Sequence, residues 1–273
     1  MLSAVTITFV GAGNMARSLI SGLLASGVRP EQLRASDPDP GQRAQLADTG
    51  IQTTDSNDEA VAGADVVVLA VKPQVLGAVL KNLNNLATGQ LLVSIAAGVP
   101  LASLTSWSSI MQPIVRCMPN TPALLGAGMT ALYANDKVSA QQRSQAEMIL
   151  GAAGKTLWVA TEDTLDAVTA VSGSGPAYYF YLMEAMVDAG VALGLDREMA
   201  TLLTLETAYG AGLMARNGAT PLAKLRENVS SPGGTTAAAL AILDAAELRL
   251  TIKNALAGAA RRSKELAKEF GES

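Results

Sequence analysis
The apolar positions of this chain fall into two regimes. Residues 5–10 form a β-branched run that enters Gly11-Ala12-Gly13-Asn14-Met15-Ala16, after which Met15, Leu19, Ile20, Leu23 and Leu24 recur on one helical face until Gly27. Short apolar strands follow at residues 33–36, 64–71, 91–96, 114–117, 129–134 and 156–159. The run at 64–71 is nearly continuous, as a parallel strand covered on both faces should be. Ser139-Ala140-Gln141-Gln142 reads as a capping box that opens a helix. Past Glu162-Asp163 the strand signals stop and helical spacing takes over. It predicts helices over 165–171 and 176–193, and one capped by Asp196 that ends at Asn217-Gly218. Thr220 as cap and Pro221 at the first position open another helix, which stops at Asn228-Val229. Helix resumes at 237–240, and the last one covers roughly 246–270.

Strand, glycine turn and helix in that order lift Gly-x-Gly-x-x-Ala above a chance match. Gly11 permits the tight turn, Gly13 the approach of a pyrophosphate, and Ala16 the packing of helix on strand. The anion would lie at the helix N-terminus, where free N–H groups and the dipole favour it. The expected fold class is therefore α/β: an N-terminal Rossmann dinucleotide-binding domain over residues 1–160, then an all-α C-terminal dimerisation domain over 161–273. Asp37 ends the second strand about 20 residues past the glycine turn, where an acid accepts from the adenosine ribose 2′-hydroxyl. Taken alone it points to NAD(H), while Arg34 and Arg43 pull toward a 2′-phosphate; a solvated turn in Ser-Asp-Pro-Asp-Pro is the plain alternative.

Two glycine-rich stretches interrupt the helical half. Ser172-Gly173-Ser174-Gly175-Pro176 breaks an apolar helical pattern, either for a ligand or for close packing. Ser230-Ser231-Pro232-Gly233-Gly234-Thr235-Thr236 delivers glycine N–H groups and hydroxyls to a helix start, which suits a small carboxylate, with a plain capped turn as the bland reading. The helix at 176–193 is apolar on nearly every face apart from Glu184 and Asp188. Such a helix must be buried, and a second copy of the chain is the simplest cover, so a homodimer is expected.

Composition narrows the chemistry. Hydrophobic residues make up 49% of the 273 positions but aromatics only 4%, so the core must be built from small aliphatic side chains. A net charge of −4 without any Lys/Arg block argues against nucleic acid. There is no histidine and one cysteine, Cys117, which removes the commonest general acid/base and most zinc sites; no metal is expected. Between Lys81 and Asp136 the only charge is Arg116, yet polar residues interrupt every apolar run well short of the ~20 residues that a membrane span needs. No targeting pattern is visible, and the cytoplasm is the expected location. Cys117 reads as a small buried hydrophobe, and Arg116 as paired with a carboxylate or with strand-end carbonyls.

The ordered set Gly-Ala-Gly-Asn-Met-Ala, Ala-Val-Lys-Pro, Arg-Cys-Met-Pro-Asn-Thr-Pro, Ser-Gly-Ser-Gly-Pro-Ala-Tyr and Ser-Ser-Pro-Gly-Gly-Thr-Thr resembles the pyrroline-5-carboxylate reductases over essentially the whole chain. The resemblance implies reduction of 1-pyrroline-5-carboxylate to L-proline with NAD(P)H, and homodimers often assembled as a decamer of five dimers. It implies cofactor contacts at Gly11, Ala12, Gly13, Asn14, Met15, Ala16, Asp37, Asn57, Ala70, Val71, Lys72, Pro73, Ala96, Ala97, Gly98 and Asn228. It implies substrate contacts at Glu162, Ser231, Gly233, Gly234, Thr235 and Thr236, with Thr236 as the residue that meets the reacting ring nitrogen. NADP(H) is the family habit; Asp37, where Ser, Asn or Arg is often found, keeps NAD(H) open. Two other readings are weighed. A β-hydroxyacid dehydrogenase or imine reductase would carry a lysine on the helix after Gly-Ser-Gly-Pro, and residues 179–195 contain none. A non-catalytic dinucleotide sensor would show a ruined substrate loop, and residues 230–236 are intact.

Overall fold
The computed structural model describes residues 5–108 and 110–271; the first four residues, on which the expected absence of a targeting pattern partly rests, lie outside these. The chain forms two compact units. The first runs to Ser174 and is rejoined by the chain from Gly258, and the second runs from Gly175 to Ala257.

The first unit is built on an eight-stranded sheet in the order β3-β2-β1-β4-β5-β6-β7-β8. The strands are β1 (Ile7–Val10), β2 (Leu33–Ser36), β3 (Gln52–Thr54), β4 (Val66–Leu69), β5 (Leu91–Ser94), β6 (Ile114–Met118), β7 (Gly128–Ala134) and β8 (Gly154–Trp158). All pair in parallel except β6 with β7. Helices α1 (Asn14–Ala25), α2 (Pro40–Ala44), α3 (Asn57–Val61), α4 (Pro73–Lys81), α5 (Leu101–Trp107), α6 (Ala140–Gly151) and α7 (Thr164–Val168) connect or follow them. Alternate strand residues serve opposite faces. Ile7, Phe9, Leu33, Val66, Val68 and Val93 belong to one core cluster with Leu19, Leu23 and Ile149 of α1 and α6. Val10, Val67, Leu69 and Leu92 belong to the other, with Leu76 and Leu80 of α4 and Trp107 of α5. Each such side chain contributes about 1.5–3 kcal/mol of burial, so the sheet is the stable frame on which the loops at its edge are carried.

The second unit holds α8 (Gly175–Ala192), α9 (Arg197–Asn217), α10 (Leu222–Asn228), α11 (Thr235–Ala245) and the first part of α12 (Leu248–Gly271). Asp196 caps α9 by accepting from Met199 N–H at 2.7 Å. Only Gly175 and Val187 of α8 are buried, while Tyr179, Phe180, Tyr181 and Leu182 are all more than half exposed. That apolar surface is the one for which the sequence demanded a cover.

Three expectations are revised, and one strand has no signal in the sequence. The edge strand β3 is polar and mostly exposed, so it carries no apolar alternation to announce it. Ser172–Pro176 does not break the helix into a loop: Thr169–Gly173 forms a π-helical turn, closed by Ser174 N–H donating to Thr169 O at 2.8 Å, and α8 begins at once. Close packing explains Gly173, because a Cβ there would overlap Met118 Cε. Thr220 is not the cap of α10; Pro221 is, since its carbonyl accepts from Lys224 and Leu225 N–H at 2.9 and 3.0 Å. Finally, residues 161–174 cluster with the sheet and not with the helical unit. Leu165 is buried, and Asp166 accepts from Ser263 Oγ at 2.7 Å, which also draws the end of α12 into the first unit.

Gly22 of α1 sits so close to the end of α6 that a Cβ would overlap the Ala152 carbonyl. Backbone cannot rotate away as a side chain can. Gly22→Ala is therefore expected to destabilise the protein by about 1–3 kcal/mol through overpacking, read as a lowered Tm in thermal melts.

Candidate active site
The glycine loop is wedged between the ends of β2 and β4, where the sheet order reverses. Gly11 has φ +100° and donates its N–H to Ser36 O at 2.8 Å, and a Cβ would lie 2.8 Å from Ala70 O. Only glycine fits both constraints. Gly13 is the N-cap of α1 with extended backbone and no side-chain cap, and a Cβ on it would meet nothing within 4 Å. An open cradle over unpaired helical N–H groups fits a pyrophosphate. Parallel pairing puts the other expected cofactor positions at the same end of the strands: Asp37 after β2, Asn57 after β3, Ala70 to Pro73 after β4, and Ala96 to Gly98 after β5. Ser36 Oγ donates to Asn57 Oδ1 at 2.7 Å and sets the start of α3. Gly98 has φ +77°, and Leu266 Cβ and Phe270 Cε2 of α12 would stand 3.3 Å from a Cβ there. Asn228, the remaining expected cofactor position, is exposed at the end of α10 in the second unit.

Asp37 is not a free turn residue. Its Oδ2 accepts from Ala12 N–H at 2.9 Å and its Oδ1 from Asp39 N–H at 3.0 Å. The two arginines expected beside it separate. Arg34 donates to Ala62 O at 2.8 Å and buries its Nε without a partner among the described residues, whereas Arg43 stays with the Asp37 loop. A third cation, Arg17, was missed by sequence reasoning. Four residues past Gly13, it sits one helical turn above the loop, and that spacing was the available signal.

Arg116 on β6 is buried and pairs with a carboxylate: Nη1 donates to Glu162 Oε1 at 2.6 Å. The same oxygen accepts from Leu101 N–H at 2.7 Å, the first amide of α5. Glu162 thus closes the exit of the Ala96–Gly98 segment, while its Oε2 has no partner among the described residues and the side chain is 26% exposed. Cys117 beside it donates Sγ–H to Ser94 O at 3.0 Å, and burial pushes its thiol well above the ordinary value. It is inert packing. Among the described residues no cluster could hold a metal.

In the second unit, Gly233 at φ +73° and the Gly234 N–H donated to Ser231 O at 3.0 Å shape the turn before α11. Gly234 caps α11 without any side-chain hydrogen bond. Ser230 turns its hydroxyl to Arg226 O at 2.7 Å, but no described residue partners the hydroxyls of Ser231, Thr235 or Thr236. The structure brings the five expected substrate positions of this segment together on one helix start; Glu162 belongs to the first unit.

Removing Glu162 strands a buried guanidinium and an unsatisfied Leu101 amide. Glu162→Ala is expected to cost about 3 kcal/mol, the low end for a broken buried pair given its partial exposure, measured by denaturant unfolding. Glu162→Gln, which keeps the acceptor oxygen, should recover about half of that loss.

Residues 162–266 match the family described as pyrroline-5-carboxylate reductase dimerisation, and residues 6–98 the family described as NADP oxidoreductase, coenzyme F420-dependent. A pyrroline-5-carboxylate reductase of Pseudomonas aeruginosa is 54% identical over 99% of this chain and 100% of its own. The solved reductase of Coxiella burnetii is 40% identical with a TM-score of 0.92, covering 97% of this chain and 99% of that one. The Plasmodium falciparum pyrroline carboxylate reductase, solved with NADP bound, is 31% identical with a TM-score of 0.84, covering 97% of this chain and 99% of that one.

Proposed function
The chain belongs to the pyrroline-5-carboxylate reductase family, and from that premise we propose how its residues divide the work. It is an NAD(P)H-dependent oxidoreductase that acts on a C=N bond and reduces 1-pyrroline-5-carboxylate to L-proline in proline biosynthesis. Its dimerisation region makes it a homo-oligomer, and among the described residues no helix is long and apolar enough to cross a membrane.

The observation that carries the substrate assignment is the start of α11: a glycine cap, no side-chain cap, and three hydroxyls that have no partner among the described residues. Amides of Gly233, Gly234, Thr235 and Thr236 and the Ser231 hydroxyl hold the carboxylate, as helix starts hold anions. Thr236 Oγ accepts from the protonated ring nitrogen. Oε1 of Glu162 keeps Arg116 and Leu101, so in this reading only its Oε2 is left for the cationic imine. Gly11 to Ala16 and the first turn of α1 hold the pyrophosphate, and Asn57, Ala70 to Pro73, Ala96 to Gly98 and Asn228 fix the rest of the dinucleotide. When bound, the nicotinamide supplies a hydride to the imine carbon; the nitrogen already carries the proton that the product keeps. No histidine is needed, and the side chains mainly orient and stabilise charge.

Within the homo-oligomer we place five dimers in a ring, which light scattering would read as ten chains; a bare dimer overturns it. The cytoplasm is the compartment proposed for it, consistent with a single unpaired cysteine.

The activity is tested by following nicotinamide absorbance with pyrroline-5-carboxylate and each reduced cofactor. Folded protein that oxidises neither overturns the reading. Thr236→Ala is expected to lose about 2–4 kcal/mol of transition-state stabilisation, roughly thirtyfold or more in kcat, by analogy with oxyanion-hole donors. Parental kcat and KM in that variant would remove Thr236 from the reaction.

A further inference from the structure
The second residue of the glycine loop is gripped by opposite charges. Ala12 N–H goes to Asp37 Oδ2, and Ala12 O accepts from Arg17 Nη1 at 2.8 Å. Arg17 Nη1 also donates to Gln42 Oε1 at 2.5 Å and Nη2 to Asn14 Oδ1, so the guanidinium is fixed between α1 and α2. From the other side, Arg43 Nη1 donates to the carbonyls of Asp37 and Pro38 at 2.6 and 3.1 Å. Two half-buried guanidinium groups therefore hold the peptides on either side of one carboxylate. Neither is used up. Arg17 places three of its five N–H donors, and Arg43 two, on described residues.

The residue at the end of the second strand of such a sheet faces the adenosine ribose, and here it is Asp37. A carboxylate there accepts from a free 2′-hydroxyl but repels a 2′-phosphate. Guanidinium groups with donors to spare do the reverse, since they bind phosphate through charge-assisted, often paired hydrogen bonds. We propose that Arg17 and Arg43 form a 2′-phosphate clamp around Asp37, which lets one site take NADPH through the arginines and NADH through the acid. The proposal rests on the NAD(P)H reading of the crevice. It also explains how an acid at position 37 coexists with a family in which NADP is bound.

Binding of adenosine 2′,5′-bisphosphate and of 5′-AMP to the full-length protein, by calorimetry, tests the clamp without any turnover. The parent should bind the bisphosphate more tightly, with an advantage that shrinks as salt rises. Arg17→Gln and Arg43→Gln should each weaken the bisphosphate by about tenfold while 5′-AMP weakens by less than about threefold. Asp37→Ser should do the opposite, tightening the bisphosphate and raising the ratio of kcat/KM for NADPH over that for NADH. Equal losses of both nucleotides in the arginine variants would make these side chains loop struts and overturn the clamp. So would a parent that binds the two equally while still turning over substrate, which leaves the dinucleotide reading intact. Should neither nucleotide bind, the crevice reading falls with the clamp. If an arginine variant fails to fold, an unchanged cofactor ratio in Asp37→Ser is enough to overturn the proposal.

Discussion
Arg116 is the only charged side chain between Lys81 and Asp136, and it lies buried on β6, so the fold has to bring it acceptors, and a carboxylate is what it brings. Glu162 arrives from 46 positions further along, and the oxygen it gives to Arg116 also takes the Leu101 amide, 61 positions before it. One atom therefore joins β6, the segment leaving β5 and the approach to α7. The consequences spread outward from there. With Glu162 fixed, α7 stays on the sheet, Asp166 can hold Ser263, and the end of α12 reaches Gly98 through Leu266 and Phe270. The loop after β5 is thereby fixed at its exit by an ion pair and backed by an apolar wall. Replacing the pair by two apolar groups of equal volume could preserve stability, as it can for other buried pairs. It would remove the carboxylate oxygen that the proposed reaction leaves for the substrate.

Strands β1, β4, β5 and β6 were legible because they are buried on both faces and their apolar runs leave little choice of state. Asp196 and the Ser139–Gln142 box were legible because caps are local, settled within four residues. What the sequence hid were features decided by distant partners. β3 is a strand because Arg34 to Ser36 offers an edge to pair with, not because Gln52-Thr53-Thr54 favours one. The π turn at Thr169–Gly173 lies against Met118 of β6, which leaves no space for a Cβ at Gly173. Arg116 left two options open, and only the fold chose Glu162 over strand-end carbonyls. Arg17 was hidden for another reason: just past a recognised glycine fingerprint, a polar helix position reads as solvent-facing, and its spacing from Gly13 is a weak signal beside the contacts to Ala12, Asn14 and Gln42 that turn it to the loop.

The two ligand-holding elements solve one problem twice. Gly13 and Gly234 are both N-caps of helices, both have extended backbone, and neither helix start has a side-chain cap. A Ser or Asp at either position would satisfy an amide locally and add about 1 kcal/mol of helix stability. Glycine leaves those amides for an anion instead, in the proposed reading the pyrophosphate at α1 and the substrate carboxylate at α11. The difference lies in what surrounds each cap. Around Gly13 the neighbours are charged and interlocked, Asp37 and Arg17 both gripping Ala12, so the loop is set before any ligand arrives. Around Gly234 the neighbours are neutral hydroxyls, whose oxygens can accept as readily as their protons donate. That suits a substrate with a carboxylate at one end and a cationic nitrogen at the other. A fixed acid or base would match one end only, which is a physical reason for a site of hydroxyls and amides in a chain without histidine.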